Sequence, residues 1–388
     1  MHLLFATSIV PDGALASGYE IANAAIIAAL RRAGARVTVI GFTWPGRAAA
    51  DPENTVVLGS VDVRTENASA PQKLVWVGKA MLSGLTFASI KLRAVSDSDV
   101  LAAIERAGPF DGYVLNSVQF VGAFEKLFEG RPSIFVAHNV EHLSARENAA
   151  AATGIFQRLL FRREARLLEV VEERLCRQAR FVFTLAEEDR AALGVGSDDR
   201  SAVLPLVTGA KARKGPRHID CDAALIGTWT WQPNRIGLDW FLDKVVPHLR
   251  PDFRIRIAGS MPSGVTSAHP GVEFVGRVPD AQAFVRAAAV IPLISTAGSG
   301  VQLKTIETFE LGLPSVATSR SLRGIDHRPA NCVVIDDPAG FARALEAAAA
   351  DIRDVDGSAF HREQIRALDA AIRLGLDKIG VVRQEAFA

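Results

Sequence analysis

The chain has 388 residues, of which 49% are hydrophobic and 22% are charged, and its formal net charge is +1. Because a single hydrophobic core rarely serves so long a chain, the length predicts two domains. The near-neutral charge argues against a nucleic-acid-binding protein, since such proteins usually carry a strongly basic domain or stripe.

The first half of the chain alternates apolar strands with helices. HLLFATSIV (2–10) predicts a buried strand, YEIANAAIIAALRRAGA (19–35) predicts a helix, and VTVIGF (37–42) predicts a second strand, so these segments form a β-α-β unit. Further strands are predicted at 55–64, 112–118, 133–141 and from 180, with helical segments at 71–107 and 155–178. This alternation predicts a doubly wound parallel sheet.

Residues 201–222 lose this periodicity and collect Lys, Arg, Gly and Pro, which is typical of a link between domains. After the link, strands are predicted at 223–228, 254–260, 272–278, 289–295, 315–319 and 331–336, with helices between them. We therefore predict an α/β protein with two facing Rossmann-like, doubly wound parallel-sheet domains and a cleft between them. The predicted domains are 1–205 and 206–369. A C-terminal helix at about 370–388 is a candidate to pack back on the first domain, although its sequence suits either domain.

The segment GSGVQLKTIETFELGLP (298–314) carries the main candidate site. A glycine turn follows a buried strand and precedes a helix, and free backbone amides at such a start attract an anion. Lys304 stands in the first turn, where the helix dipole disfavours a cation unless an anion binds there. Glu307, one turn later, can accept two hydrogen bonds from a ribose. The simpler alternative is a surface ion pair between Lys304 and Glu307, worth about 0.2–0.5 kcal/mol.

Together with GTWTWQPNRIGLDWFL (227–242), RIAGS (256–260), VEFVGRVPD (272–280) and AHNVEH (137–142), this segment resembles the GT-B glycosyltransferases of family 4. The resemblance implies transfer of a sugar from a nucleotide-diphosphate donor to an acceptor hydroxyl, with retention and without a metal or a cofactor. It also implies that the second domain holds the donor and the first holds a glycan or lipid-linked acceptor, in bacterial surface polysaccharide or glycolipid assembly.

The same resemblance assigns roles to residues of the second domain. Glu307 would bind the donor ribose, and Lys304 would bind the diphosphate together with the backbone amides of Gly300 and Val301. The backbone at Arg277–Val278 would contact the base. These assignments make Lys304 and Glu307 catalytic candidates and place the other residues in the donor site.

Three positions depart from the pattern of the family. A second glutamate is usual eight positions before Glu307, and Ser299 stands there, although its hydroxyl can still contact the donor sugar. An Arg and a Lys are usual in the first loop of the second domain, where this chain has Thr228 and Asn234. Arg235 is a candidate substitute for them, and Asn234 is equally well explained as a helix N-cap. Glu310 replaces a usually small residue and has no explanation from the sequence.

The first domain contributes two candidates. His138 ends a predicted strand, and a histidine near this point contacts the donor sugar or phosphate in the resembling family; a structural role is the alternative. Gly18 lies in the turn GALASGY (13–19), where a glycine lets the backbone approach a diphosphate, although a turn glycine without a ligand is at least as consistent with the sequence. Asn139, Glu141 and His142 either contact the acceptor or cap the following loop.

The segment PQKLVWVGKAMLSGLTFASIKLR (71–93) mixes basic, aromatic and apolar residues. This composition suits a helix on anionic lipid that presents a lipid-linked acceptor, but we favour a core-packing helix with solvated lysines. The N-terminus lacks the pattern of a secretory signal, and 74–90 is too short to span a bilayer. We expect a cytoplasmic protein, and peripheral contact with the inner face of the cytoplasmic membrane stays open.

The motifs that identify several other classes of enzyme are absent from the sequence. The sequence has no GxGxxG after a strand, no GxxxxGK[ST], no HExxH and no GxSxG with a plausible triad. Cys176, Cys221 and Cys332 are far apart and indicate reduced thiols without a zinc site. Two alternatives remain: a nucleotide-sugar 2-epimerase of GT-B fold, and a non-catalytic GT-B partner subunit, which the missing glutamate and Arg/Lys pair make credible.

Overall fold

The computed structural model describes residues 1–14, 17–64, 68–197, 199–212 and 215–380. The chain divides into two compact units: unit 1 is Met1–Pro205 with Ala367–Ala388, and unit 2 is Leu206–Arg366. The chain thus leaves unit 1 after Pro205 and returns to it inside its last helix. Among the described residues, no helix is both long and apolar enough to cross a bilayer.

Unit 1 is built on a seven-stranded parallel sheet. Its strands are β1 (His2–Ile9), β2 (Arg36–Thr43), β3 (Thr55–Ser60), β4 (Gly112–Asn116), β5 (Ser133–Ala137), β6 (Phe181–Thr184) and β7 (Ser201–Val203). Their order is β3-β2-β1-β4-β5-β6-β7. Strands β4, β5 and β6 are buried at every position, because helices cover both faces of the sheet.

The helices of unit 1 are α1 (Gly18–Arg32), α2 (Ala70–Ser83), α3 (Phe87–Lys91), α4 (Asp97–Ala107), α5 (Val118–Ala123), α6 (Glu141–Ala151), α7 (Ile155–Gln178) and α8 (Glu187–Ala192). The predicted helical segment 71–107 is therefore three helices. Gly84 ends the first with a φ of 69°, and the side chain of Ser96 caps the start of α4. The predicted link also differs, since residues 201–203 pair with β6 as a short strand.

Helix α2 does not pack in the core, whereas Ile90 and Leu92 later in the segment 71–93 are buried, so the favoured core-packing interpretation is wrong for α2 alone. Ala80 is its one buried residue, and the side chain of Leu82 is 92% exposed. The helix contacts α3 through Trp76, whose ring lies 5.9 Å from that of Phe87. Its side chains Leu74, Val75, Met81 and Leu82 are exposed.

Unit 2 repeats the same topology with six parallel strands. They are β8 (Cys221–Thr228), β9 (Ile255–Ser260), β10 (Val272–Gly276), β11 (Ala288–Leu293), β12 (Ser315–Ala317) and β13 (Cys332–Val334), in the order β10-β9-β8-β11-β12-β13. In both units the strand order reverses beside the first strand, and ligands of such sheets bind outside the strand ends at that switch point. The two doubly wound parallel sheets confirm the predicted fold class.

The helices of unit 2 are α9 (Gln232–Trp240), α10 (Ala281–Arg286), α11 (Leu303–Glu310), α12 (Pro338–Ala350) and α13 (Gly357–Lys378). Helix α9 continues as a π-helical turn at Phe241–Val245 and a 3-10 turn at Val246–His248. Helix α13 begins in unit 2 and ends in unit 1, where Gly375 lies against β6. A Cβ at this glycine would come within 2.7 Å of the Phe183 ring, so close packing requires glycine there.

Glu310, which had no explanation from the sequence, binds the segment that joins the two units. Its side chain is fully buried and accepts hydrogen bonds from the amide of Thr208 at 3.1 Å and the amide of Ala210 at 3.0 Å. The Thr208 hydroxyl donates to it as well, and Nδ1 of His361 on α13 lies 2.8 Å away. A small residue would leave these buried donors without an acceptor.

We therefore expect Glu310→Ala to destabilise unit 2 by about 3 kcal/mol, because buried donors lose a charged acceptor. Glu310→Gln, which keeps one acceptor oxygen, should lose less. The measurement is the midpoint of urea unfolding together with hydrogen exchange of the Thr208 and Ala210 amides, which should accelerate. Glu363→Ala is the control, since this glutamate is exposed on α13. An unchanged midpoint and unchanged exchange for Glu310→Ala would contradict this role.

Candidate active site

An open pocket with about 650 Å³ of empty volume lies in unit 2. Its lining comes from β8, the loop after β8, β11 and α11, and it includes Trp229, Asn234, Lys304, Thr305 and Glu307. Because β8 and β11 flank the switch point of the sheet, the pocket lies where such folds bind ligands. The structure therefore brings both main candidates into one pocket.

The glycine loop and the start of α11 expose a row of unpaired backbone amides. Helix α11 begins at Leu303 after Gln302, whose side chain makes no capping hydrogen bond, and Lys304 is its second residue. Within the described chain, the amides of residues 300–304 donate to no acceptor. Such amides, at the positive end of the helix dipole, form a site for an anion. The amides of Gly300 and Val301 belong to this row, and their contact with a diphosphate stays a prediction.

The loop is held in place by Arg320, a residue that the sequence did not point to. Its guanidinium donates to the carbonyl of Gly298 through Nε at 3.1 Å and Nη2 at 2.6 Å. Gly298 has a φ of 91°, a backbone conformation that favours glycine. Ser299 follows and is partly exposed. The one sequence signal for a role of Arg320 in the site is its position after β12, because segments that follow parallel strands lie at the same edge of the sheet as the glycine loop.

Lys304 packs against an aromatic ring and does not pair with Glu307. Its Nζ lies 5.1 Å from the ring centroid of Trp229, whose Nε1 donates to the carbonyl of Ala258 at 2.8 Å. A Cβ at Gly227 would lie 2.9 Å from Nζ, so glycine makes room for the ammonium. Among the described residues Lys304 forms no ion pair with a carboxylate. Burial lowers its pKa to about 8, and the charge of Glu307 offsets part of that shift.

Glu307 is oriented by Gln282 on α10, a second residue that the sequence did not reveal. Nε2 of Gln282 donates to Oε1 of Glu307 at 3.1 Å. Burial raises the pKa of Glu307, as does the nearby charge of Glu310, while the Gln282 hydrogen bond and the Lys304 charge lower it. The surface ion pair considered for Lys304 and Glu307 is therefore absent, and the carboxylate retains acceptor capacity toward a ligand.

Thr228 ends β8, and Asn234 and Arg235 lie at the start of α9, on the other side of a short loop. Nδ2 of Asn234 donates to the carbonyl of Thr228 at 3.1 Å. Asn234 is the third residue of α9, whose N-cap is Trp231, so the N-cap explanation of Asn234 is wrong. Nε of Arg235 bonds both carboxylate oxygens of Asp239, at 2.7 and 2.8 Å. This ion pair competes with any ligand contact of Arg235, whose substitution for the Arg/Lys pair stays a prediction.

Arg277 and Val278 follow the edge strand β10. The Arg277 guanidinium donates through Nε and Nη2 to the hydroxyl of Ser260, at 3.1 and 3.0 Å. Ser260 ends β9 and is the register partner of Thr228 at the end of β8. The side chain of Arg277 therefore reaches the carboxyl ends of the central strands, although the sequence pointed to its backbone. Val278 is partly buried, and its contact with a base stays a prediction.

In unit 1, His138 directly follows β5 and belongs to a buried polar network. Its Nε2 lies 2.9 Å from Oδ1 of Asn116, and Nδ2 of Asn116 donates to Asn23 at 2.8 Å. Because that donation identifies Oδ1 as the acceptor, Nε2 carries the proton. Burial lowers the pKa of His138 to about 4, so the imidazole is neutral at physiological pH. The Tyr19 ring packs at 5.0 Å, next to Gly18, the first residue of α1.

The sequence predicts that Asn139, Glu141 and His142 either contact the acceptor or cap the following loop. The structure gives a role to one of them. Nδ1 of His142 lies 2.7 Å from Glu172 on α7, and that carboxylate also accepts hydrogen bonds from the amides of Glu141 and His142. His142 therefore has a structural role. Burial raises the pKa of the Glu141 carboxyl, while hydrogen bonds to Gln119 and Asn139 lower it. Contact of Asn139 or Glu141 with an acceptor stays a prediction.

Comparisons with known proteins agree with this geometry. Residues 222–351, which contain the whole pocket, match the family described as glycosyl transferases group 1. The crystal structure of TarM aligns with a TM-score of 0.63 at 12% identity, over 98% of this chain and 99% of that chain. HepE from Anabaena, in complex with UDP and glucose, aligns with a TM-score of 0.56 at 13% identity, over 98% of this chain and 95% of that chain. Unit 2 therefore carries a domain of a glycosyltransferase family, and the chain has the GT-B fold.

No curated protein is significantly similar to this chain in sequence. At 12 and 13% identity, the two solved structures show the fold, whereas the family match concerns unit 2. In the described residues, no group of three or more His, Cys, Asp or Glu side chains is arranged to hold a metal ion. The roles of individual residues rest on the geometry described above.

We expect the ammonium of Lys304 to titrate near pH 8 in the unliganded protein and at higher pH with pyrophosphate bound. Burial favours the neutral amine, whereas a bound anion favours the cation, so anion affinity should fall as the pH rises through about 8. The measurement is an NMR titration of isotopically methylated lysines, with Lys304→Arg identifying the signal. A titration that saturating pyrophosphate leaves unchanged would contradict the anion site.

Proposed function

We propose that this protein moves a sugar from a nucleotide-diphosphate donor to an acceptor hydroxyl, with retention of configuration and without a metal. The observation that carries the proposal is the convergence of unpaired amides 300–304 and the Lys304 ammonium in one pocket. Both are positively polarised, and neither has a negatively charged partner among the described residues. HepE, a protein of the same fold, is described in complex with UDP-glucose, which supports a nucleotide-sugar donor.

The proposed chemistry is electrostatic. When the bond between the sugar C1 and the phosphate oxygen breaks, its electron pair passes to the leaving diphosphate, where negative charge grows. Lys304 and the amides face that charge in a partly desolvated pocket, where each interaction is stronger than in water. Their positive charge serves the purpose of a metal, so we propose that none is required.

Retention is proposed to follow from attack on the same face of the sugar. The acceptor oxygen bonds to C1 as the diphosphate departs, and a phosphate oxygen of the donor takes the acceptor proton. Ser299 stands where a carboxylate is usual and cannot act as an anionic nucleophile. His138, being neutral with its proton on Nε2, is proposed to accept a sugar hydroxyl hydrogen bond at Nδ1 and not to act as an acid.

Glu307 is proposed to bind the donor ribose. Gln282 holds one of its oxygens, and the carboxylate retains acceptor capacity for two vicinal hydroxyls. The acceptor is proposed to be a glycan or a lipid-linked glycan in bacterial surface polysaccharide or glycolipid assembly, which rests on the family resemblance alone.

Two substitutions should separate the phosphate contact from the ribose contact. We expect Lys304→Ala to weaken binding of a nucleoside diphosphate and of its 2′,3′-dideoxy analogue equally, by about ten- to a hundredfold, because one charge-assisted contact is lost. Glu307→Ala should weaken the first ligand by a similar factor and leave the second unchanged. Isothermal titration calorimetry with UDP, GDP and ADP would measure both effects.

Lys244→Ala is the matched control for this experiment, since Lys244 is an exposed lysine of unit 2 outside the pocket lining. It should bind both ligands as the wild type does. Equal losses for both ligands in Glu307→Ala would exclude the ribose contact, and wild-type affinity in Lys304→Ala would exclude the phosphate contact.

We also expect sugar transfer to persist in EDTA and the product to keep the anomeric configuration of the donor. The reason is that protein groups neutralise the leaving group and attack occurs on the same face. Proton NMR of the product, with the J coupling of the anomeric proton, checks both points. An inverted anomer or loss of turnover in EDTA would overturn the mechanism, and an epimerised donor formed without acceptor would identify a 2-epimerase.

A further inference from the structure

Exposed apolar side chains concentrate in two segments of unit 1. Seven of the large hydrophobic side chains exposed in the described chain lie on α2 and in residues 155–166 of α7: Leu74, Val75, Met81, Leu82, Ile155, Phe156 and Leu159. Leu82 is 92% exposed, Ile155 78% and Phe156 72%. Single exposed apolar residues are ordinary on a protein surface, whereas a contiguous group indicates an interaction surface.

The two segments are adjacent, because Arg163 on α7 binds the end of α2. Its Nη2 donates to the carbonyl of Ala80 at 2.6 Å, and its Nη1 donates to the carbonyl of Leu85 at 3.2 Å. Met81 and Leu82 directly follow Ala80, and Leu159 lies one turn before Arg163. The exposed ends of both segments therefore belong to one surface, which we call the α2–α7 surface.

The outer face of α2 is continuous. Leu74, Val75, Met81 and Leu82 recur with the spacing of a single helical face, and Gly78 lies between the two pairs. Trp76 and Ala80 lie on the opposite, inner side. An isolated helix with this pattern leaves one apolar face in water, which costs free energy unless another phase or molecule covers it.

The charges of the α2–α7 surface are almost all positive. Residues 70–83 and 155–166 contain six basic residues, Lys73, Lys79, Arg158, Arg162, Arg163 and Arg166, and one acidic residue, Glu164. Glu164 is buried, pairs with Arg163 and accepts the amide of Phe87 at 2.6 Å. The outward charge is therefore positive, although the net charge of the whole chain is only +1.

We propose that the α2–α7 surface docks unit 1 on an anionic lipid bilayer. Its exposed aliphatic and aromatic side chains would enter the boundary between headgroups and acyl chains, while the basic residues contact lipid phosphates. The single carboxylate of this surface is buried, so the surface presents only positive charge. Two copies of it would repel each other, whereas lipid phosphate is negatively charged, and for this reason we propose a bilayer and not a second copy of the chain. The proposal goes beyond the transfer reaction and does not depend on the identity of the donor or the acceptor.

The test is co-sedimentation with large unilamellar vesicles. We expect the full chain to bind phosphatidylcholine vesicles that contain about one third phosphatidylglycerol, and to bind pure phosphatidylcholine at least about tenfold more weakly. The double variant Leu82→Ser, Phe156→Ser should lose at least about tenfold in partition coefficient, since two apolar side chains no longer enter the bilayer. A wild-type chain that stays in the supernatant with anionic vesicles would overturn the proposal.

The contribution of the basic residues to vesicle binding is tested with the double variant Lys79→Ala, Arg162→Ala. Each positive charge contributes about fivefold near an anionic surface, so the pair should lose about 25-fold at low salt and less at high salt. The matched controls are Leu374→Ser and Lys126→Ala, exposed residues of unit 1 outside the surface, which should bind vesicles as the wild type does. Equal losses in variants and controls would contradict a specific surface.

Two further measurements distinguish docking on a bilayer from self-association and from a defect in the donor site. Light scattering in solution asks whether Leu82→Ser, Phe156→Ser converts a dimer into a monomer; such a change with unaltered vesicle binding would assign the surface to a second copy. Nucleoside diphosphate binding should be unchanged in every surface variant. Failure of the vesicle experiment thus leaves the donor site untouched, and failure of the donor site leaves the vesicle result untouched.

Discussion

The site of unit 2 depends on one partly buried ammonium group, that of Lys304. It lies on the face of Trp229 beside the backbone of Gly227, and burial lowers its pKa to about 8. A cation at the positive end of a helix, without a carboxylate partner, costs stability in the absence of a ligand. The same features make it effective toward an anion, because a partly desolvated charge needs little reorganisation when a negative group arrives. The glycine loop supplies unpaired amides for the same anion.

The short helix α11 connects this site to the rest of the chain. Lys304 lies at its start, Glu307 at its middle and Glu310 at its end. Glu310 binds Thr208 and Ala210 of the joining segment and His361 of α13. This helix of eight residues therefore carries the proposed ligand contacts at its start and middle. At its end it carries the contacts to the joining segment and to α13. Its sequence is constrained on every face, which explains why a buried glutamate is present at its end.

The two units share a strand order but carry different chemistry at the switch point. Unit 2 has a cation, a carboxylate and free amides there. Unit 1 has a neutral network in which Thr7, Asn23 and Asn116 satisfy one another and hold the imidazole of His138. Every buried hydrogen-bonding group in such a network needs a partner, so its geometry is closely defined. Unit 1 also carries the α2–α7 surface, which is independent of that network.

The sequence alone determined the two doubly wound sheets, most helix positions and the placement of Lys304 at a helix start. These features depend on the spacing of neighbouring residues, such as the unbroken apolar run of β1 or the glycine turn before Lys304, and spacing is visible in one dimension. Tertiary structure decided the partners: Gln282 for Glu307, Arg320 for the carbonyl of Gly298, Trp229 for Lys304 and Thr208 for Glu310. It also decided that α2 lies outside the core and that residues 201–203 form a strand. Such contacts join residues that are distant in the chain. Many groups are chemically suitable as partners, and the packing of the whole sheet and its helices decides which of them meet.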